Sequence, residues 1–196
     1  MSKDWYFGCS MTQGVHLPRS TKYWSQQVSD YFQHEHSNLG RAGNSNEIIL
    51  NDVITNINKF ESGDTVFIGI TTIRLTFPVN YRGNLMNVGH PLIVVDGAGD
   101  FNVEQRTNLT DIVIHRLLPY ENAHIQWYNN TFLQLQRVLE ERNIKCFLWN
   151  PSSWSMFEEI SKEDPHWSVK GHRDFAKYVV ENLENRNYSL ISKNLV

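Results

Sequence analysis

A serine near one end of this sequence and an aspartate and a histidine near the other are residue types that can combine in nucleophilic catalysis. Ser10 lies beside Cys9 in WYFGCSMTQG (5–14), where an aromatic run stops at Gly8. Asp164 and His166 lie in DPHW (164–167). Between them come Gly43 and Asn44, then Thr71, Thr72 and Arg74. Hydrolysis through a serine needs a hydroxyl, a base to take its proton, and an acid group that fixes the tautomer of the base. It also needs donors aimed at the developing oxyanion, often backbone N–H groups at a glycine turn. Each part is present. Ser10 alone reads as a turn or cap residue, and His166 alone as a helix-start residue. Together with the rest they read as a nucleophile and its base.

The elements must then bring these residues to one place. DWYFG (4–8) reads as a buried strand ended by glycine. Residues 20–33 have helical spacing at Tyr23, Trp24, Val28, Tyr31 and Phe32, with Ser20 or Thr21 as the cap. SNLG (37–40) is a weaker strand candidate. Asn44 and Ser45 offer caps for a helix over 46–60, with Ile48, Ile49, Val53, Ile54 and Ile57 on one face. DTVFIGI (64–70) and KCFLWN (145–150) are apolar on both faces, as parallel strands covered by helices are. Residues 75–108, rich in Asn and Gly, read as an irregular insertion, 109–141 as one or two helices, and a last helix starts at Ser168 or Val169.

This strand–helix alternation predicts one α/β domain over 1–196, with a mostly parallel sheet between helical layers. Ligands of such sheets lie beyond the carboxyl ends of the strands. Ser10, Gly43, Asn44, Thr71 and Arg74 each follow a strand, and Asp164 and His166 precede the last helix. The order along the chain therefore gathers them at one rim.

Three segments, in the right order, resemble the blocks of the SGNH/GDSL hydrolase family. FGCSMTQG (7–14) resembles its first block, usually F-G-D-S-x-T-x-G, and NLGRAGNSN (38–46) its second. DPHWSVKGHRDFAKYV (164–179) resembles the last, a catalytic Asp and His followed by Gly-His and a helix. The resemblance implies a flavodoxin-like α/β/α sandwich. It implies Ser10 as nucleophile, His166 as base and Asp164 as its orienting acid. The N–H groups of Ser10 and Gly43 would form the oxyanion hole. Three departures stand out. Cys9 replaces the usual Asp, a change of packing. The third block, normally G-x-N-D, reads Gly69-Ile70-Thr71-Thr72, so Thr71 takes the place of the Asn donor, with Asn44 or Arg74 as compensating groups. Asp164 lies two residues before His166 where many relatives have three, which leaves Glu163 as an alternative third member.

Composition narrows the remaining choices. Among 196 residues, 40% are hydrophobic and 20% charged, enough for a real core. A net charge of −3 argues against general nucleic-acid binding, which needs a basic surface. Cys9 and Cys146 are the only cysteines and make no disulfide framework. No apolar run approaches the ~20 residues of a membrane span, and no signal peptide is evident, so a cytoplasmic or virion-associated location is expected. Cys9 reads as a small hydrophobe rather than a nucleophile. His34-Glu35-His36 reads as a solvated helix end, since residues two apart on a helix do not share a face. Asp96–Asp100 lacks the ligands of a calcium loop. No cofactor and no metal are expected. Trp149, Trp154 and Trp167 fall near the rim, where Trp stacks on sugars or packs in the core. The expected substrate is a small-molecule or glycan ester, with removal of a small acyl group such as acetyl from a carbohydrate preferred. The alternative is a carbohydrate-binding or structural module on the same fold, its chemistry weakened at Thr71.

Overall fold

The computed structural model describes residues 2–71, 74–78, 85–89, 95–96, 121–150, 156–162, 164 and 166–190. Five strands form one sheet: β1 (Lys3–Phe7), β2 (Glu35–Asn38), β3 (Thr65–Gly69), β7 (Lys145–Trp149) and β8 (Ser189–Leu190). Their spatial order is β2-β1-β3-β7-β8, and every pairing is parallel. The register sets Tyr6 against both Asn38 and Phe67, and Phe67 against Phe147. Parallel neighbours require crossovers, which here include α2 (Trp24–Phe32), α3 (Asn46–Asn56), α4 (Glu121–Glu141) and α5 (Val169–Glu184).

Alternation along each strand divides the core in two. Trp5, Phe7, Val66, Ile68, Cys146 and Leu148 point to one face, where Ile49 and Val53 of α3 and Phe132 and Leu139 of α4 cover them. Tyr6, Phe67, Phe147 and Trp149 point to the other, covered by Trp24 and Val28 of α2 and by Phe175 and Val179 of α5. The result is a three-layer α/β/α sandwich with the flavodoxin strand order. Beyond their first residues β3 and β7 are apolar, because neither face meets water.

Several local expectations change. The helix expected over 20–33 begins at Trp24, with Tyr23 at the cap and no side-chain cap bond, so Ser20 and Thr21 do not cap it. The strand expected at 37–40 lies at Glu35–Asn38. The helix expected over 46–60 is α-helical to Asn56 and closes with a 3-10 turn at Ile57–Lys59. Ser45 caps it, accepting from the Ile48 amide at 3.4 Å. Within the expected insertion, β4 (Arg74–Pro78), β5 (Leu85–Gly89) and β6 (Val95–Asp96) form an antiparallel three-stranded sheet. Segment 75–108 is thus partly regular; the calcium-like run 97–100, like the helical expectation for 109–120, lies outside the described residues.

His34 and His36 are not a solvated helix end. The chain leaves α2 through Gln33 at φ 56° and enters β2. His34 Nδ1 meets the buried Asp4 Oδ1 at 2.9 Å, and the Ser29 hydroxyl donates to Asp4 Oδ2 at 2.9 Å. His36 Nε2 lies 3.0 Å from Ser25 Oγ, and burial lowers its basicity. These pairs satisfy a carboxylate and two hydroxyls between α2 and the sheet, where an unpaired polar group would be costly.

Candidate active site

Ser10 begins α1 (Ser10–Gln13), a single turn that follows β1 directly. Cys9 caps the turn with its backbone: its carbonyl accepts from Thr12 and Gln13 N–H, each at 3.0 Å. The Cys9 side chain is buried among Tyr6, Trp24 and other core residues, which agrees with a packing role. Because Ser10 is the first helical residue, no helical carbonyl lies behind its N–H group. The turn presents hydroxyl and amide together at the carboxyl end of β1.

The opposing loop is tied to itself before it reaches Ser10. Ile160 N–H donates to His166 O at 2.7 Å, and Ser168 N–H donates to Glu158 O at 2.9 Å. Ser168 then caps α5, accepting from Gly171 N–H at 3.1 Å. Within this frame Asp164 Oδ1 accepts from the His166 amide at 3.1 Å and meets His166 Nδ1 at 2.5 Å. The other ring nitrogen, Nε2, lies 2.9 Å from Ser10 Oγ. When Nδ1–H donates to the carboxylate, Nε2 is left as the acceptor for the serine proton. The bonds from the His166 ring and amide hold the Asp164 carboxyl below the usual carboxylate range. The carboxylate is therefore held in its ionised form. Of the two acids expected as partner of His166, Asp164 makes this contact; Glu163 lies outside the described residues.

The loop after β2 comes close because several bonds draw it in. Arg41 N–H and Asn44 Nδ2–H both donate to Gly8 O, at 3.1 and 3.2 Å. Ala42 N–H donates to Gln13 Oε1 at 2.7 Å. Gly43 has φ +79°, a left-handed conformation that a Cβ disfavours. Asn44 is buried and holds the Gly8 carbonyl, so the expected role as a spare oxyanion donor gives way to a role in tying the loop to β1.

Thr71 is also buried, and its Oγ1 has no hydrogen-bond partner among the described residues. Its main chain is held at both ends by one side chain. Asn46 Oδ1 accepts from Thr71 N–H at 2.8 Å, and Asn46 Nδ2–H donates to Thr71 O at 3.2 Å. This clamp was not visible in the sequence, where Asn46 is simply the first residue of a helix. Gln13 was missed for the same reason. Thr72 lies outside the described residues. Arg74 opens β4 rather than a loop at the rim, and its backbone alone is described.

Trp167 was expected as a supporting or substrate-facing residue. It is fully buried, packed on Phe175 with ring centroids 4.4 Å apart and on Trp149 at 5.7 Å. Trp149 is equally buried, so neither ring offers a sugar platform; Trp154 lies outside the described residues. His172, on the first turn of α5, packs against α2: its Nδ1 accepts from Trp24 N–H at 3.3 Å, and burial lowers its pKa to about 4.

No family model matches the sequence, and no curated protein matches it. Among solved structures, a member of the lipolytic G-D-S-L family from Veillonella parvula is similar at 13% identity and TM-score 0.44, covering 92% of this chain and 97% of that one. A protein assigned to the same lipolytic family from Desulfitobacterium hafniense is similar at 15% identity and TM-score 0.41, over 92% and 99% of the two chains. A Bacillus subtilis protein is similar at 14% identity and TM-score 0.43, over 97% of this chain and 43% of its own. No described helix is long and apolar enough to cross a membrane.

Proposed function

We propose that this chain is a serine esterase of the SGNH type, with Ser10 as nucleophile, His166 as general base and Asp164 as the group that orients it. The observation that carries the proposal is the continuous chain from Asp164 through both nitrogens of His166 to Ser10 Oγ. Ser10 Oγ attacks the ester carbonyl while its proton passes to His166 Nε2. The carbonyl oxygen becomes an oxyanion, facing the N–H groups of Ser10 and Gly43 and the hydroxyl of Thr71. Collapse breaks the bond to the alcohol, which leaves with the proton from His166. Water then repeats the sequence on the acyl-enzyme.

We propose a small acyl group, such as acetyl on a carbohydrate, as the substrate class. Support comes from Thr71, a buried residue whose hydroxyl has no hydrogen-bond partner among the described residues and is free to meet a polar acyl oxygen. The burial of Trp149 and Trp167 removes the stacking argument for sugars, and it weakens the alternative of a glycan-binding module still more. A binding module also has no use for the Ser10–His166–Asp164 geometry.

The test is hydrolysis of p-nitrophenyl acetate and butyrate by wild type, Ser10→Ala and His166→Ala, with a fluorophosphonate probe on the same samples. Turnover and labelling in the wild type, both lost in Ser10→Ala, are expected, with acetate preferred over butyrate. Absence of labelling in folded wild type would refute the esterase reading.

A further inference from the structure

His16 has no part in the chemistry described above, yet it stands against it. The residue follows the turn that carries Ser10. Gly14 closes that turn at φ +76°, its N–H donating to Ser10 O at 2.9 Å, and Val15 N–H reaches the same carbonyl at 3.3 Å. The chain then passes through His16 at φ +67°, an uncommon conformation for a residue with a side chain. The outcome is an exposed imidazole with its ring centroid 4.8 Å from that of His166. One ligand atom each from His16, Asp164 and His166 lie within 4.8 Å of one another.

We infer that His16, Asp164 and His166 form a binding site for a divalent transition metal of the zinc class, and that occupancy switches the esterase off. Two imidazoles and a carboxylate are a donor set suited to Zn²⁺, which takes three protein ligands and leaves its fourth position to water. With bonds of about 2.0–2.2 Å around a tetrahedral ion, the widest of these separations closes, while Asp164 Oδ1 and His166 Nδ1, at 2.5 Å, open to admit the ion. Both movements are small, and the partly exposed side chains have room to make them. Water reaches the site for the same reason. His16 and His166 come from separate loops, each braced by its own backbone bonds, so the ligands are positioned before the metal arrives.

The consequence follows from what the two shared ligands do when metal-free. Asp164 fixes the His166 tautomer, and His166 accepts the Ser10 proton. Coordination draws one or both from those bonds. The inhibitory effect rests on the esterase reading; the metal site rests on the three ligands alone.

The experiment uses the full chain, stripped with chelator and titrated with Co²⁺ by visible absorption and with Zn²⁺ by calorimetry. His16→Asn is the variant of choice because Asn tolerates a left-handed backbone. One equivalent of Zn²⁺ is expected to bind the wild type. Removing a direct ligand should weaken binding at least as much as losing an outer partner does, about 10–100-fold. Zn²⁺ should abolish p-nitrophenyl acetate turnover in the wild type, with recovery on adding chelator. His16→Asn should keep its metal-free turnover and need correspondingly more Zn²⁺ for inhibition. No binding, or equal binding by both proteins, would overturn the site. Binding through His16 with turnover unaffected would overturn the switch. Binding through His16 by a protein with no metal-free turnover would leave the site standing and reject the esterase.

Discussion

His166 is useful only while its two nitrogens have different partners. Asp164 takes Nδ1 and Ser10 takes Nε2, at 2.5 and 2.9 Å. Asp164→Asn keeps the size but favours the wrong tautomer, since an amide N–H in the acceptor's place cannot receive Nδ1–H. A fall in kcat of roughly 10⁴-fold is expected, with the circular dichroism spectrum unchanged. Because Asp164 is held ionised by its bonds from His166, the acid limb of kcat/KM should titrate as one proton. Two protons on that limb would mean that the carboxylate and imidazole titrate together. Thr71→Val removes the proposed hydroxyl donor while keeping the shape, and kcat should drop about 10²–10³-fold with little change in KM. Asn46→Ala acts one step away. It leaves the Thr71 N–H and C=O unpaired in a buried place, so stability should fall by about 1–3 kcal/mol in denaturant titrations. Turnover should fall with it.

Elements carry these residues with little freedom. Helix α5 starts three residues after His166, and Ser168 is both its cap and the residue that binds Glu158. Ser168→Ala should lower stability by about 1 kcal/mol, measured by urea unfolding. It should also reduce kcat, because the cap and the His166 loop share the same short segment. A full loss of stability with kcat intact would separate the two. The turn after β2 behaves differently. Gly43→Ala would force a Cβ into a left-handed residue, so the proposed oxyanion donor should shift and kcat fall more than KM rises. The two sheets also differ in legibility. Strands β3 and β7 were evident because they are apolar on both faces. The antiparallel strands β4–β6 were not, because LMNVG and its neighbours are rich in Asn and Gly, residues usually read as loop.

At the scale of the molecule, the two helical layers are joined to the site through buried polar groups. His172 links α5 to Trp24 of α2 behind the candidate triad, and its pKa is lowered to about 4 by burial and then by the His166 charge. The unfolded chain therefore takes up this proton first. Stability from this group is fully present above the ordinary histidine pKa and is lost as pH falls toward 4. The loss is on the order of 3 kcal/mol at the acid end of that window. Thermal unfolding across this window should show it. His172→Asn, which retains an acceptor but cannot become an imidazolium, should flatten the slope. An unchanged slope would assign the acid sensitivity to other groups.

By itself the sequence determined the α/β class, the parallel sheet and the candidate set Ser10, Gly43, Asp164 and His166. Those signals are local: apolar runs of strand length, a glycine turn, Asp-x-His before a helix cap. It also put Thr71 at the third position, as the residue after Gly69-Ile70. What it could not carry were relations between distant side chains. The tryptophans are apolar rings whether they face a sugar or a core, and only the layer packing buried Trp149 and Trp167. Asn46 is an unremarkable helix start until β3 ends beside it. His16 is a loop histidine until the last helix brings His166 to 4.8 Å. His34 and His36 look like a polar tail until Asp4 and Ser25 meet them across the first two strands. Periodicity and turn chemistry act between neighbours in the chain and are written in its order. Hydrogen bonds and ring contacts between segments arise only when the sheet and its crossovers set the segments side by side.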